Sequence, residues 1–309
     1  MKRHYLVILI LLNVAWAASP STYKRLEAYL DYGAIVTLRF GLAALGLLLC
    51  WPLLPGRAPQ GRALIRALGM GVVVFALGHR LQALGVRLGT AGNSALLTAM
   101  EPLVTAVAAA VFLRERVSAR RWVGFGLGLV GVLLLNGVWR LDLNWVSLGA
   151  SLLFVCSFGC EAAYSVMGKP LLAQASAVKV LALALAGGLI ANLLIDGPST
   201  LAAASSLPAS GWVMVGFLAG LCTMIGYAVW YVVIRETEVN LAALTIFVQP
   251  VAGMVLAAWW VGEPLHAGQL WGSVAIVAGL GIGLQLRPAA ARPEAAPASV
   301  SPGWPRTAE

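Results

Sequence analysis

Charge is what this sequence most lacks. Asp, Glu, Lys and Arg make up 11% of its 309 residues, against about 25% in a soluble domain. A surface so poor in charge would not stay dispersed in water, so the solvent it implies is lipid. The mean hydropathy of +0.87 and the 60% hydrophobic content agree. Histidine is nearly missing: His4, His79 and His266 are the only ones. The only aspartates, Asp31, Asp142 and Asp196, fall at expected loops. A membrane-embedded enzyme would need paired aspartates or a His-rich motif near the interface, so that alternative has no constellation to carry it. Cysteine is sparse as well. Cys50, Cys156, Cys160 and Cys222 all lie in apolar runs. Cys156 and Cys160 are spaced to share a helix face, without zinc-knuckle spacing. All four are expected to be small buried hydrophobes, and no metal, redox site or cofactor is expected.

The cations that are present must be read by position. Their excess gives a net charge of +9, but the arginines fall between apolar runs and form no continuous basic face. Nucleic acid is therefore not an expected partner. A spanning helix needs roughly 20 predominantly apolar residues. Ten such runs are present: Tyr5–Tyr23, Gly33–Leu54, Leu64–Val86, Thr90–Phe112, Trp122–Val138, Trp145–Val166, Ala177–Ile195, Trp212–Ile234, Leu241–Val261 and Ala267–Leu286. Turn formers fill the gaps, as at Pro55-Gly56-Arg57-Ala58-Pro59 and Gly197-Pro198-Ser199. With the N-terminus inside, the inner segments hold 15 Lys and Arg and the outer loops hold 4. The positive-inside rule then places both termini in the cytoplasm. The first 17 residues resemble a signal peptide ending Ala15-Trp16-Ala17. They have a counterpart later in the chain, so they are expected to stay as the first helix. The tail at 288–309 is rich in Ala, Pro and Ser and is expected to be disordered.

That counterpart belongs to a long repeat. Shifting the chain by 148 positions sets Glu101-Pro102 on Gln249-Pro250, Leu113-Arg114-Glu115 on Val261-Gly262-Glu263, Gly124 on Gly272 and Gly131 on Gly279. The same shift sets Asn13 on Glu161, Trp16 on Tyr164, Gly78 on Gly226 and His79 on Tyr227. A period this long is a duplicated half. Five helices per half is an odd number, so the second half enters the membrane from the opposite side. The expected fold is all-α and integral to the membrane, with ten transmembrane helices in two inverted five-helix repeats. The halves are residues 1–143 and 144–287.

At these residues the chain resembles the drug/metabolite transporter superfamily, and within it the EamA family of ten-helix carriers. The resemblance rests on Arg39-Phe40, on Ala95-Leu96-Leu97 ahead of Glu101-Pro102, and on Leu113-Arg114-Glu115-Arg116. Trp122-Val123-Gly124 and Gly131-Val132-Leu133 complete the first copy; Gln249-Pro250, Gly262-Glu263-Pro264, Gly272 and Gly279 form the second. It spans residues 5–286. Trp16-Ala17 stands where many relatives have Trp-Gly. The resemblance implies a secondary transporter of the bacterial inner membrane that exports small metabolites, often amino acids, or drugs. It also implies proton exchange or a substrate gradient as the driving force. With both halves in one chain, a monomer suffices. A membrane sensor that does not transport is the remaining alternative.

A charge at the centre of a spanning helix costs on the order of 3 kcal/mol and normally faces a cavity or a partner. Arg39, Arg80, Glu101 and Glu161 are such charges. They line a polar path, form two structural ion pairs, or, for Arg39, snorkel to the headgroups. Pro102 and Pro250 each remove a backbone donor and are expected to kink their helices. Glu101, beside one kink, suits proton coupling; its mate Gln249 cannot titrate. His79 is a second proton carrier by type, or a hydrogen-bonded structural histidine. Asn13, Trp16, Tyr164, Tyr227, Trp230 and Tyr231 add an aromatic and amide lining of the kind small-molecule sites use, against the interfacial-belt reading of Trp and Tyr. Gly124, Gly128 and Gly272 fit small-residue helix contacts. Glu115 and Glu263 end their helices as expected gate or helix-end contacts.

Overall fold

A computed structural model describes residues 1–88, 100–135, 145–261 and 267–284, and among these every regular element is a helix. The first half holds α1 (Arg3–Ala17), α2 (Ser19–Leu26), α3 (Tyr32–Leu49), α4 (Arg62–Gly71), α5 (His79–Leu88), α6 (Met100–Phe112) and α7 (Ala119–Leu135). The second holds α8 (Trp145–Leu171), α9 (Ala177–Ser205), α10 (Ala209–Phe217), α11 (Gly226–Glu236), α12 (Val239–Ala243), α13 (Val248–Val261) and α14 (Ala267–Gly283). Among the described residues six continuous helical stretches are long and apolar enough to cross a membrane: 3–26, 32–49, 62–82, 177–205, 209–236 and 239–256. The helices α6 and α14 are shorter apolar ones.

Several boundaries differ from the sequence expectation, each for a local reason. The first run breaks at Ala18, because Pro20 lacks an N–H and fits the first turn of a new helix, α2. The expected turn at Gly197-Pro198-Ser199 lies inside α9. Only Asp196 leaves helical geometry there (φ −143°, ψ 19°), and Pro198 again occupies an early turn past the break. In the ninth run, α12 passes through a 3-10 turn (Leu244–Phe247) into α13, which carries Pro250. A proline ring clashes with the carbonyl four residues back, here that of Ile246. Pro102 lies in the first described turn of α6. Residues 89–99, 136–144, 262–266 and 285–309 are not described, so Ala95-Leu96-Leu97, Asp142, Glu263, His266 and the tail lie outside the described residues.

Two π-helical segments interrupt the bundle, Val72–Gly78 between α4 and α5 and Leu218–Ile225 between α10 and α11. The Gly78–Gly226 match of the repeat sets one on the other. A π turn leaves backbone carbonyls without their usual helical donors, and such bulges cluster at functional sites.

The core lies between the halves. Helix α3 packs on α9, α5 and α6 pack on α8, α1 packs on α13, and α7 packs along α14. The α7–α14 contact is built on glycine. A Cβ on Gly124 would sit 2.8 Å from the Gly279 carbonyl, and one on Gly131 would sit 2.6 Å from that of Gly272. Under the repeat, Gly124 is the mate of Gly272 and Gly131 of Gly279. The contact is therefore self-complementary, as across a two-fold axis. Outward-facing positions are apolar: Leu49, Leu53 and Leu194 are more than four-fifths exposed. Cys50 and Cys156 also face outward, contrary to the expected burial. A thiol is as compatible with lipid as with a core, so the apolar run around it could not reveal which it met.

Candidate functional site

The freed carbonyls of the two π segments are taken up by side chains, of which His79 and Trp16 belong to the expected polar set. His79 Nδ1 lies 3.0 Å from the Val74 carbonyl. A carbonyl only accepts, so Nδ1 carries the hydrogen and Nε2 is directed elsewhere. Asn192 donates to the Phe75 carbonyl (2.9 Å). In the second segment the Trp16 indole donates to the Cys222 carbonyl (2.8 Å), and the Thr223 hydroxyl donates to the Leu218 carbonyl (2.8 Å). Sequence-level reading finds no π turn, because such a bulge has no composition of its own.

Around these carbonyls the expected charges converge. Nε2 of His79 is 3.8 Å from a Glu161 oxygen, too long for a direct hydrogen bond. The charge of Glu161 acts on Glu101, and that of Arg39 acts on Glu161. Glu101 and Glu161 are only partly buried although both lie within helices. Half-buried Tyr227 closes the ring, 5.8 Å from Trp16 and 5.1 Å from Phe75 between ring centroids. Arg39 does not snorkel. It is 6% exposed and donates to Thr223 (2.9 Å) and to the Tyr23 hydroxyl (3.0 Å).

Asn13 is fully buried and holds a second polar contact. Its amide donates to the Thr245 hydroxyl (3.1 Å) and accepts from Gln249 (2.9 Å). Asn13 is the repeat mate of Glu161, and Gln249 is the mate of Glu101. The two amides thus hydrogen-bond across the halves, one from each copy, and the 148-position shift sets the two carboxylic acids on them.

Arg80 has a different partner from any weighed on the sequence. It pairs with Asp196 (2.7 Å) and donates to Asn192 (3.0 Å) and Thr37 (3.2 Å), while Thr37 donates to Asp196 (2.7 Å). The expectation that Asp196 is a loop residue is corrected here. The kink in α9 turns its carboxylate toward the bundle interior. Tyr23, Thr37, Asn192 and Thr223 were also missed. The available signal was a polar residue inside each apolar run.

The aromatic set divides. Tyr164 and Tyr231 stack at 3.9 Å and 3°, and each hydroxyl donates to a backbone carbonyl, so they pack the core. Trp230 is buried and donates to Ser165 (2.9 Å). Trp16 and Tyr227 keep partial exposure within the bundle. Trp122 and Trp212 lie exposed on the outer surface.

At the face that holds Lys2, Glu115 organises a further network. It accepts from Lys169 (2.7 Å), from the backbone N–H groups of Val239 (2.9 Å) and Asn240 (3.0 Å), and from the Asn240 amide (2.7 Å). Burial disfavours the charged carboxylate, but Lys169 and the two N–H groups outweigh it and hold the Glu115 carboxyl below its ordinary value. Arg121 pairs with Glu238 beside it. Two surface hollows lie elsewhere. One of about 580 Å³ is apolar, around Trp51 and Leu183, and one of about 290 Å³ is lined by Arg62 and Arg66. Neither borders the central polar set. Among the described residues no three His, Cys, Asp or Glu side chains are grouped to hold a metal.

A helical bundle with an apolar exterior and charges at its centre suits a protein embedded in lipid, where such charges mark functional paths. The EamA-like transporter family model matches the chain twice, over residues 4–137 and 148–283. The chain therefore belongs to the EamA family of the drug/metabolite transporter superfamily. It is 31% identical to "Uncharacterized inner membrane transporter YedA" of Escherichia coli K12 over 72% of each chain. It is 22% identical to "Uncharacterized transporter YyaM" of Bacillus subtilis, over 91% of this chain and 93% of that one. A further relative is "Probable terminal-alkyne amino-acid exporter" of Streptantibioticus cattleyicolor, 26% identical over 82% of this chain and 84% of that one. A solved crystal structure shares the fold with a TM-score of 0.68 at 16% identity, covering 90% of this chain and 94% of that one.

Proposed function

We propose that the chain is a proton-coupled secondary carrier of the bacterial inner membrane, exporting small organic metabolites such as amino acids or related compounds, or drugs, by alternating access. The proposed architecture is ten spans in two inverted five-helix halves, with both termini cytoplasmic. The double family match, the self-complementary glycine contact and the paired π segments support it. The export direction has support from the name of the Streptantibioticus relative.

One observation carries the coupling. Asn13 of the first half and Gln249 of the second hydrogen-bond to each other, and their repeat mates are the acids Glu161 and Glu101. Amides hold a fixed contact; two acids near one another can take up and release a proton. Occupying one acid with a proton and then losing it to the other face would couple proton entry to substrate exit. The Arg80–Asp196 cluster and the Glu115–Lys169 network tie opposite ends of the bundle. Opening one while the other stays closed gives access to each side in turn.

Flux of a metabolite mixture out of proteoliposomes, followed from pH 5.5 to 8, tests this. Glu101→Gln and Glu161→Gln are expected to remove the pH dependence, and Arg80→Ala to slow flux about tenfold or more. If Glu101→Gln and Arg80→Ala both leave flux and its pH profile unchanged, the site is elsewhere.

A further inference from the structure

Arg39 is a buried guanidinium without a carboxylate. It is 6% exposed, and among the described residues no carboxylate oxygen lies within 4 Å of it. Its two acceptors are the neutral hydroxyls of Thr223 and Tyr23. The faces of Phe40 (4.9 Å) and Tyr23 (5.7 Å) flank it and carry no net charge. A buried cation is normally compensated by an anion, and the half-buried Arg80 follows that rule with Asp196. The second half offers no counterpart, since the 148-position shift sets Arg39 on Gly187.

The geometry of the donors narrows the role. A guanidinium has five N–H groups in a planar fork. Here Nε is committed to Thr223 and one Nη1 hydrogen to Tyr23, while Nη2 has no acceptor. Among the described residues the one fully enclosed side-chain polar atom without a partner is the Thr200 hydroxyl. Nη2 therefore keeps contact with accessible space. It does so beside the groups already described: its acceptor Thr223 follows Cys222, whose carbonyl takes the Trp16 indole, and the adjacent Phe40 packs on His79 (4.5 Å between ring centroids). A planar anion with two oxygens matches such a fork.

We infer that Arg39 is the anchor for a carboxylate on the transported molecule, so that the substrate class is small organic carboxylates. This rests on the carrier reading of the same site. A free carboxylate completes the charge balance that the fold leaves open on Arg39. An amide of the same skeleton leaves the guanidinium uncompensated, and a bare amine lacks the acceptors altogether.

The test uses the full-length protein and matched pairs: common amino acids and 2-hydroxy acids, each beside its own carboxamide. Efflux from proteoliposomes is measured by mass spectrometry, and thermal protection of the purified protein is measured with the same compounds. At least one acid is expected to move, with its amide about tenfold or more slower. Arg39→Gln should abolish the preference for the acid, and Arg39→Lys, which keeps the charge but not the fork, should retain part of it. The comparison of acid with amide in the unaltered protein does not depend on how the variants fold. An amide moving as fast as its acid, or Arg39→Gln carrying the acid at the original rate, overturns the inference and leaves the carrier reading standing. Protection by acids alone, lost in Arg39→Gln and without flux, upholds the anchor and overturns transport. No flux and no protection with any pair overturns both.

Discussion

At the scale of single residues, the unequal copies of the repeat have a physical cause. Helix α6 ends at Arg114, which has φ +54°, and the Glu115 N–H reaches back to the Ala109 carbonyl (3.3 Å). A left-handed position just past a helix favours glycine. The second copy carries Gly262 there. Arg114→Gly is expected to stabilise the protein by about 1 kcal/mol, measured as a higher unfolding temperature in detergent; a lower one would contradict the strain. The Arg80–Asp196 pair makes a second prediction. Arg80→Gln and Asp196→Asn should couple in a double-mutant cycle by about 1–3 kcal/mol, whereas additive losses would mean that the two charges do not depend on each other. The intramembrane charges themselves were legible in the sequence, because a charge inside an apolar run is conspicuous. The partner of Arg80 was not. Asp196 precedes Gly197-Pro198, and that pair looks like a turn until a long helix is seen to run through it.

At the scale of helices, the sequence pattern that the family model matches twice was the most legible feature. It depends on glycine and proline at fixed spacing, which need no tertiary information. The partners of those glycines were not legible, since a small residue marks a close approach without saying to what. The glycines now discriminate. Gly131→Ala would press a methyl onto the Gly272 backbone and should cost about 1–3 kcal/mol. Gly126→Ala in the same helix meets nothing within 4 Å and should be neutral or stabilising. Thermal unfolding of the two variants side by side checks this, and equal effects would exclude the α7–α14 contact. The π segments were invisible beforehand, yet they supply the carbonyls that fix His79, Asn192 and Trp16.

At the scale of the whole molecule, the Glu115 network ties α12 to α8 and to the α6–α7 connection. Removing one partner of a largely buried pair costs about 3–5 kcal/mol, and Lys169 is exposed enough to put Glu115→Ala at the low end. The sign of the pH effect follows from the depressed carboxyl. Its stabilisation is complete above the ordinary value of 4.5 and is lost as pH falls through the lower folded-state value. Unfolding temperature should therefore fall on acidification below pH 4.5 in the unaltered protein and fall less steeply in Glu115→Gln. A parallel acid limb in both would remove Glu115 from this role. The most direct measurement of alternating access is a pair of spin-label distances in the full-length protein. One pair spans the Arg80–Asp196 end, at Tyr29 and Leu201; the other spans the Glu115 end, at Arg116 and Arg235. All four positions are exposed. Alternating access predicts that substrate or a change of pH lengthens one distance while the other stays short, and that opposite conditions reverse the two. Distances that stay fixed, or that lengthen together, would contradict it.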